Sequence, residues 1–342
     1  MQAYNNLYPK IYSFKNLKLA HKKAKKGKTS KKYVLGFEED LENNLLKLQE
    51  ELINETYEPS PLKTFIIHDP KLRKISKSEF KDRIVHHALV NVIEPIFDKI
   101  FICDSYANRK DKGTLNALLR LKYFIRKTSK NNHRKVYFLK ADIKHYFETI
   151  NREILINIIK KKIKDENVLL LTKKIINNVA IGGGRPEKGM PLGNLTSQFF
   201  ANVYLNELDY FVKHELKIKY YIRYVDDFVI LNDNKEILEF YKQEINNFLK
   251  NNLKIELHNE KSRIMQLKQG IDFLGFRHFY YYSILKKNKR RFLREKINLI
   301  IKEYKETNNY ERLMQKLEAI LAHVENCDSF NLRKKLIENL IN

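Results

Sequence analysis

The sequence predicts an α+β fold: an antiparallel sheet with helices on one face, flanked by helical segments at both ends of the chain. Three observations predict it. Tyr220 to Asp233, YYIRYVDDFVILND, consists of two β-branched and aromatic runs meeting at adjacent carboxylates, the pattern of an antiparallel hairpin. Val136 to Leu139 is a second strand-like run far upstream. Between and after these runs apolar residues return to helical spacing. Residues 134–283 therefore read as strand, helix, glycine-rich loop, helix, hairpin, helix, strand, and a second hairpin at Phe273 to Tyr282.

The remaining elements follow in order. Residues 1–60 read as a helix, a basic loop and a long amphipathic helix, with Phe37, Leu41, Leu45, Leu46, Leu48 and Leu52 near a 3.6-residue period. Tyr57-Glu-Pro-Ser-Pro61 ends that helix. Leu62 to Ile75 alternates as two short strands around His68-Asp-Pro70, and Ile84 to Ile100 reads as helical. Gly182-Gly-Gly184 lacks the trailing Lys-Ser/Thr of a phosphate loop and reads as a connection. Residues 284–342 are helical and basic. The chain thus divides at about 135 and 283, with a stretch around 160–192 contributing to the first lobe. With 342 residues and 43% hydrophobic composition it buries a substantial core in two or three packed subdomains.

The charge balance points to a polyanion. Lys plus Arg number 66 against 41 acidic residues, a net +25, with a pI near 9.7. The excess clusters in His21-Lys-Lys-Ala-Lys-Lys-Gly-Lys28 with Lys31-Lys32, and in Lys286-Lys-Asn-Lys-Arg-Arg291 with Arg294 and Lys296. Runs this dense meet phosphates and release counterions. Cys103 and Cys327 have no metal-ligand spacing, no run approaches the length of a membrane span, and the N-terminus has no apolar signal core; a reduced cytoplasm and no membrane are expected.

The chemistry concentrates on three carboxylates. A two-residue connection would put Asp226 and Asp227 together at the hairpin tip, where like charges call for a counter-charge, most simply a divalent cation. Asp142 follows the strand Val136 to Leu139. With the strands adjacent, Asp142 and Asp226 share metal ions roughly 3.5–4 Å apart, as two-metal phosphoryl transfer requires. The plain alternative is a surface turn with solvated acids, which an isolated Asp-Asp pair would favour.

With these carboxylates placed, the chain resembles a reverse transcriptase over most of its length. KADIKHYFETI resembles the family's first metal-binding motif, MPLGNLTSQFFANVYL its template and nucleotide-positioning helix, RYVDD its catalytic hairpin, LKIELHNEKS the motif after it, and IDFLGF its primer-grip hairpin. Within the family the chain looks most like bacterial, group II intron-like enzymes, in particular those of diversity-generating retroelements. DSYANRKDKGT, LGNLTSQ and a short basic C-terminal region carry that likeness. Leu192 stands where most reverse transcriptases have a Gln, and the resemblance implies reduced fidelity opposite template adenine.

What the resemblance implies is a right-hand polymerase: fingers over 1–135, palm over 136–283 and a helical thumb over 284–342. It would copy RNA into DNA from deoxynucleoside triphosphates with two Mg²⁺ ions, or Mn²⁺ in their place. Asp142 and Asp226 would be the metal ligands, the Ile143 carbonyl a further one, and Asp227 a supporting carboxylate. Lys261 matches a proposed general acid, Phe147 a steric gate against the ribose 2′-hydroxyl. Arg73 and Arg83 match residues that grip the triphosphate, and Gly193 and Gln198 lie beside the nascent pair with Leu192. Template and primer would meet the Phe273-Leu274-Gly275 turn and Arg290, Arg291 and Arg294; Arg109 and Lys112 would contact template backbone or simply cap a loop. The implied partners are a structured template RNA, its cDNA and a small basic oligomeric accessory protein. A related enzyme of phage defence and a non-catalytic RNA-binding module are the alternatives.

Overall fold

The computed structural model describes residues 3–68, 72–178, 187–331 and 333–334. The Gly182–Gly184 connection and the end of the basic C-terminal region lie outside them.

The first lobe is mostly helical. Helices α1 (Tyr8–Tyr12), α2 (Phe14–Ala24), α3 (Lys32–Glu38) and α4 (Leu41–Ile53) are followed by an antiparallel ribbon of β1 (Lys63–Ile67) and β2 (Arg73–Lys77). Ser13 starts α2 by accepting the Asn16 N–H on its hydroxyl, one of the donors a helix start leaves unpaired. The long α5 (Phe80–Asp98) centres this lobe because Ile84, Val85, Ala88, Leu89, Ile93 and Phe97 recur at helical spacing and are all buried. Helix α6 (Gly113–Thr128) leads into the second lobe.

That lobe is a four-stranded antiparallel sheet in the order β4-β5-β3-β6, formed by β3 (Tyr137–Asp142), β4 (Tyr221–Tyr224), β5 (Asp227–Asn232) and β6 (Arg263–Gln266). Between β3 and β4 run α7 (Tyr146–Thr149), α8 (Arg152–Lys160), α9 (Glu166–Asn177) and α10 (Leu195–Tyr210), the last continuing into a π-helical turn; α11 (Lys235–Asn252) joins β5 to β6. Leu139, Ala141, Tyr221, Phe228 and Ile230 pack with α10 and α11 in one hydrophobic cluster, the expected helical layer. Phe138, Ile222, Val229 and Leu231 pack in another, under Leu118, Leu121, Phe124 and Ile125 of α6. The sheet's second face is therefore covered too, which is why β3 and β5 read as near-continuous apolar runs rather than alternating ones.

The expected second hairpin is a three-stranded sheet, β7 (Ile271–Phe273), β8 (Phe276–His278) and β9 (Ser283–Leu285). It seats α12 (Lys287–Thr307) and α13 (Tyr310–Val324) through Leu293, Ile297, Ile300 and Leu317 in the second cluster. Among the described residues no helix is long and apolar enough to cross a membrane.

Candidate active site

Strand β3 ends at Asp142, directly opposite Asp227 of β5, and Asp227 in turn pairs with Tyr224 of β4. The two-residue connection is therefore Val225-Asp226. The sequence reading put both carboxylates at the tip; Asp227 instead opens a strand. Alternation decides this register, since Asp227, Val229 and Leu231 must share the face whose last two members are buried in the second cluster. The correction matters, because Lys140, Asp142 and Asp227 now stand on one sheet face while Asp226 leans in from the turn. Val225 holds φ at 56°. For a β-branched residue that conformation costs about 1–3 kcal/mol and persists only when its surroundings impose it.

The carboxyls of Asp142 and Asp226 lie within hydrogen-bonding reach of each other. Burial first, then the charge on Asp142, pushes the Asp226 carboxyl up to about 7, with Asp227 adding to it. Burial also raises Asp227, opposed by the Lys140 ammonium bonded to its Oδ1. On the other side Lys261 Nζ sits 2.8 Å from Asp142 Oδ2. Among the described residues no three His, Cys, Asp or Glu side chains form a metal cage. Two carboxylates suffice for Mg²⁺ when substrate phosphates complete its shell, and a repelling pair of hard oxygen donors fits such an ion. A backbone oxygen is also aimed correctly. Lys144 N–H bonds Glu256 O and His258 N–H bonds Asp142 O, flanking the Ile143–Leu257 bridge, so the Ile143 carbonyl points away from residue 257 toward the β5 side.

The geometry agrees with what the chain resembles. The family model described as "Reverse transcriptase (RNA-dependent DNA polymerase)" matches residues 60–278, well over half of the chain and all three carboxylates. This chain belongs to the reverse transcriptase family. It is 26% identical over 268 residues to Protein YkfC of Escherichia coli, covering 67% of this chain and 70% of that one. It is also 26% identical over 304 residues to the group II intron-encoded protein LtrA of Lactococcus lactis, covering 69% of this chain and 49% of LtrA. Among solved structures, telomerase from Candida albicans superposes with a TM-score of 0.51 at 12% identity, over 83% of this chain and 55% of that one. Apo telomerase from Candida tropicalis gives 0.50 at 15% identity, over 65% and 48%. These structures share the right-hand polymerase fold. The chain spans about half the length of LtrA and of the telomerases.

The other singled-out residues of this reverse transcriptase divide sharply. Phe147 is half-buried at the start of α7, edge-on to the buried Tyr146, and its carbonyl accepts the Met190 N–H at 2.7 Å. The Leu192–Gly193 backbone is strapped to the β1–β2 ribbon: Ser76 N–H donates to Leu192 O at 2.8 Å, and Asn194 Oδ1 accepts the Ser78 hydroxyl at 2.7 Å. Gly193 was expected to admit the nascent pair. Its close neighbour is Ile75, whose Cγ2 would lie 2.8 Å from a Cβ at residue 193, and its φ of +117° favours glycine besides. Gln198 is half-buried on α10, in the second turn of that helix. Arg73 is exposed on the ribbon, whereas Arg83 is partly committed to Ser78 O at 3.0 Å and to the Tyr33 ring.

Three expectations change. Arg109 is an internal clamp: its guanidinium binds Asp98 Oδ1 at 2.6 Å and the carbonyls of Ile102 and Ser105 at 2.7 and 2.9 Å, and lies over Phe101. Lys112 likewise donates to Cys103 O at 2.9 Å, closing the same loop. Phe273 is buried in the second cluster, leaving Leu274 and Gly275, both half-buried and at positive φ, as the two-residue turn of the hairpin. Arg290, Arg291 and Arg294 are exposed along α12.

Sequence reasoning missed Lys140, which bonds Asp227 and lies over the Phe273 ring, joining the carboxylate face to the end of β7. A signal existed: two residues before Asp142 on a strand is the same face. It also missed Arg223 and Asp209, both fully buried and paired at 2.6 Å.

Proposed function

We propose that this chain is an RNA-directed DNA polymerase that extends a primer 3′-hydroxyl along a template RNA, with the lobes at 1–135, 136–283 and 284–342 acting as fingers, palm and thumb. The observation that carries this is the meeting of Asp142 and Asp226, brought from 84 positions apart by the antiparallel pairing of β3 with β5. In phosphoryl transfer the protein mostly positions groups and stabilises charge. A divalent ion pair bound here would polarise the transferring phosphoryl group and lower the pKa of the attacking hydroxyl.

The chain's own residues do the rest. Asp142, Asp226 and the Ile143 carbonyl would hold the ions. Asp227, neutralised by Lys140, fixes the end of β5 rather than serving as a full ligand. Lys261, beside Asp142, is an ammonium placed to give a proton to departing pyrophosphate. Phe147 walls the sugar pocket against a 2′-hydroxyl, and Arg73 and Arg83 fork onto the triphosphate. Arg290, Arg291 and Arg294 meet duplex phosphates. The Candida albicans telomerase was solved with a TWJ fragment of telomeric RNA, which supports RNA as a partner of this chain.

We further assign the enzyme to a diversity-generating retroelement, working on a structured template RNA with a small basic accessory protein. Leu192 supports this reading, since an aliphatic side chain cannot donate a hydrogen bond to the incoming nucleotide where a Gln would. Primer extension on RNA with Mg²⁺, followed by cDNA sequencing, tests both levels. Asp226→Ala should abolish extension. Wild type should misincorporate opposite adenine, and Leu192→Gln should lower that error selectively. Extension by Asp226→Ala at the wild-type rate refutes the active site, and adenine-accurate wild-type cDNA refutes the diversification role.

A further inference from the structure

We propose that Arg223 is a positioning residue that imposes the catalytic turn, holding Val225 in its left-handed conformation and thereby fixing where Asp226 points. The inference rests on the polymerase reading above. Arg223 is 0% exposed, although it precedes the carboxylates by only three and four residues. Each of its three guanidinium nitrogens is engaged. Nε and Nη2 bind the two oxygens of Asp209 at 2.8 and 2.6 Å, while Nη1 binds Asn202 Oδ1 at 3.2 Å and the Val225 carbonyl at 2.9 Å.

The last bond is the informative one. Asp209 and Asn202 both project from α10, with Tyr221 donating to the same Asp209 oxygen at 2.7 Å. They hold the guanidinium plane rigidly, and a rigid planar fork fixes the direction of its remaining N–H bonds. That direction ends on the carbonyl of the one residue of the turn that is strained. The backbone of Arg223 is held as well: its N–H donates to Asp104 O at 2.9 Å and its carbonyl accepts from Tyr106 at 3.1 Å, while Asn202 Nδ2 reaches Ala107 O at 2.7 Å. Helix α10, the 104–107 loop and the turn are thus one buried polar network. With the guanidinium nitrogens and the backbone of Arg223 all bonded, this network favours a single arrangement of the turn.

A Lys at 223 retains the charge but lacks the fork, so it cannot span Asp209 and the Val225 carbonyl together. Glycine at 225 adopts positive φ without help, so it removes the need for the clamp. The experiment compares Arg223→Lys, Val225→Gly and the double variant by primer extension and by amide hydrogen exchange over residues 224–227. Leu52→Ala, a buried truncation in the first lobe, serves as a control for lost stability. Arg223→Lys should lower kcat about 10²-fold, the scale of a roughly 1 Å misplacement, with KM for the nucleotide little changed and exchange at 224–227 accelerated. Adding Val225→Gly should recover most of kcat.

A double variant no better than Arg223→Lys, or an Arg223→Lys enzyme with wild-type kcat and exchange, overturns the proposal. Should Arg223→Lys not fold, Asn202→Ala removes one partner of the clamping nitrogen; a fall in kcat restored by Val225→Gly supports the clamp, and unchanged kcat and exchange overturn it. A wild-type protein inactive on primed RNA would instead refute the polymerase reading, while the exchange comparison would still judge the clamp.

Discussion

Two antiparallel hairpins of this molecule are built from similar letters and differ in almost every physical respect. In β4–β5 the strands are buried over nearly their whole length, enclosed between two hydrophobic clusters and paired to β3. In β1–β2 every residue of β1 is exposed, and Phe65, Ile66 and Ile67 face solvent at 46%, 56% and 40%. An isolated two-stranded ribbon is marginal on its own. This one is held at its base by Ser76 to Leu192 and Ser78 to Asn194. The difference separates two tasks. The mutually repelling carboxylates sit on the element least able to yield, while the ribbon proposed above to grip the triphosphate has low local stability.

The largest effect comes from discharging the buried hairpin. Asp226→Asn should cut polymerisation by about 10³-fold or more, since it removes the charge of one of the two carboxylate ligands from a site proposed to work by charge stabilisation. The same variant should be more stable than wild type without metal at neutral pH. The folded carboxyl is raised to about 7 from 3.8, so it carries no penalty at low pH, where both states are protonated. The penalty grows as pH rises through that window, because the unfolded chain ionises first. A shift of this size corresponds to about 4 kcal/mol of wild-type stability lost between roughly pH 4 and 7, and thermal melts of both proteins across that range measure it. Parallel melting curves would break the comparison by showing the acid pair unstrained.

How much of this was legible in the sequence follows the same division. The β4–β5 and β3 strands were readable because apolar patterning encodes burial directly, whereas the meeting of Asp142 with Asp226 followed only on the condition that these strands are neighbours, which the pairing of β3 with β5 now meets. The register at the tip was misread by one residue, since DD catches the eye while Val225 gives no sign that it takes a positive φ. Arg109 was read as a nucleic-acid contact because composition cannot tell a solvated arginine from one folded onto Asp98 and two carbonyls. Lys140 was readable and was overlooked. Arg223 was not readable: nothing in one sequence links it to Asp209, fourteen residues earlier on a helix.

Gly193 seats the β1–β2 ribbon, and its substitution gives an intermediate effect. Gly193→Ala places a methyl 2.8 Å from Ile75 Cγ2 at a φ of +117°. It should cost about 1–3 kcal/mol and push the ribbon off the Leu192 segment, raising KM for the nucleotide more than it lowers kcat. Steady-state kinetics with a melting curve resolve the two parts; an unchanged KM would show that the ribbon and the Leu192 segment act independently.

The smallest effect sharpens the same distinction between buried and open charge. Arg109 has 7% of its side chain exposed, whereas Arg291 has 84%. Arg109→Ala should therefore lower stability by about 1–3 kcal/mol, by stranding the carbonyls of Ile102 and Ser105, and leave the salt dependence of RNA–DNA duplex binding as it was. Arg290→Ala, Arg291→Ala and Arg294→Ala should do the reverse. Each should leave the melting temperature in place and reduce the slope of log affinity against log salt by about one, because each removes one phosphate contact and the counterion released with it. Titrations of duplex binding at several salt concentrations read both predictions at once. A slope that fell with Arg109→Ala and held with the three helix α12 variants would move the nucleic-acid path from the third lobe to the 98–112 loop.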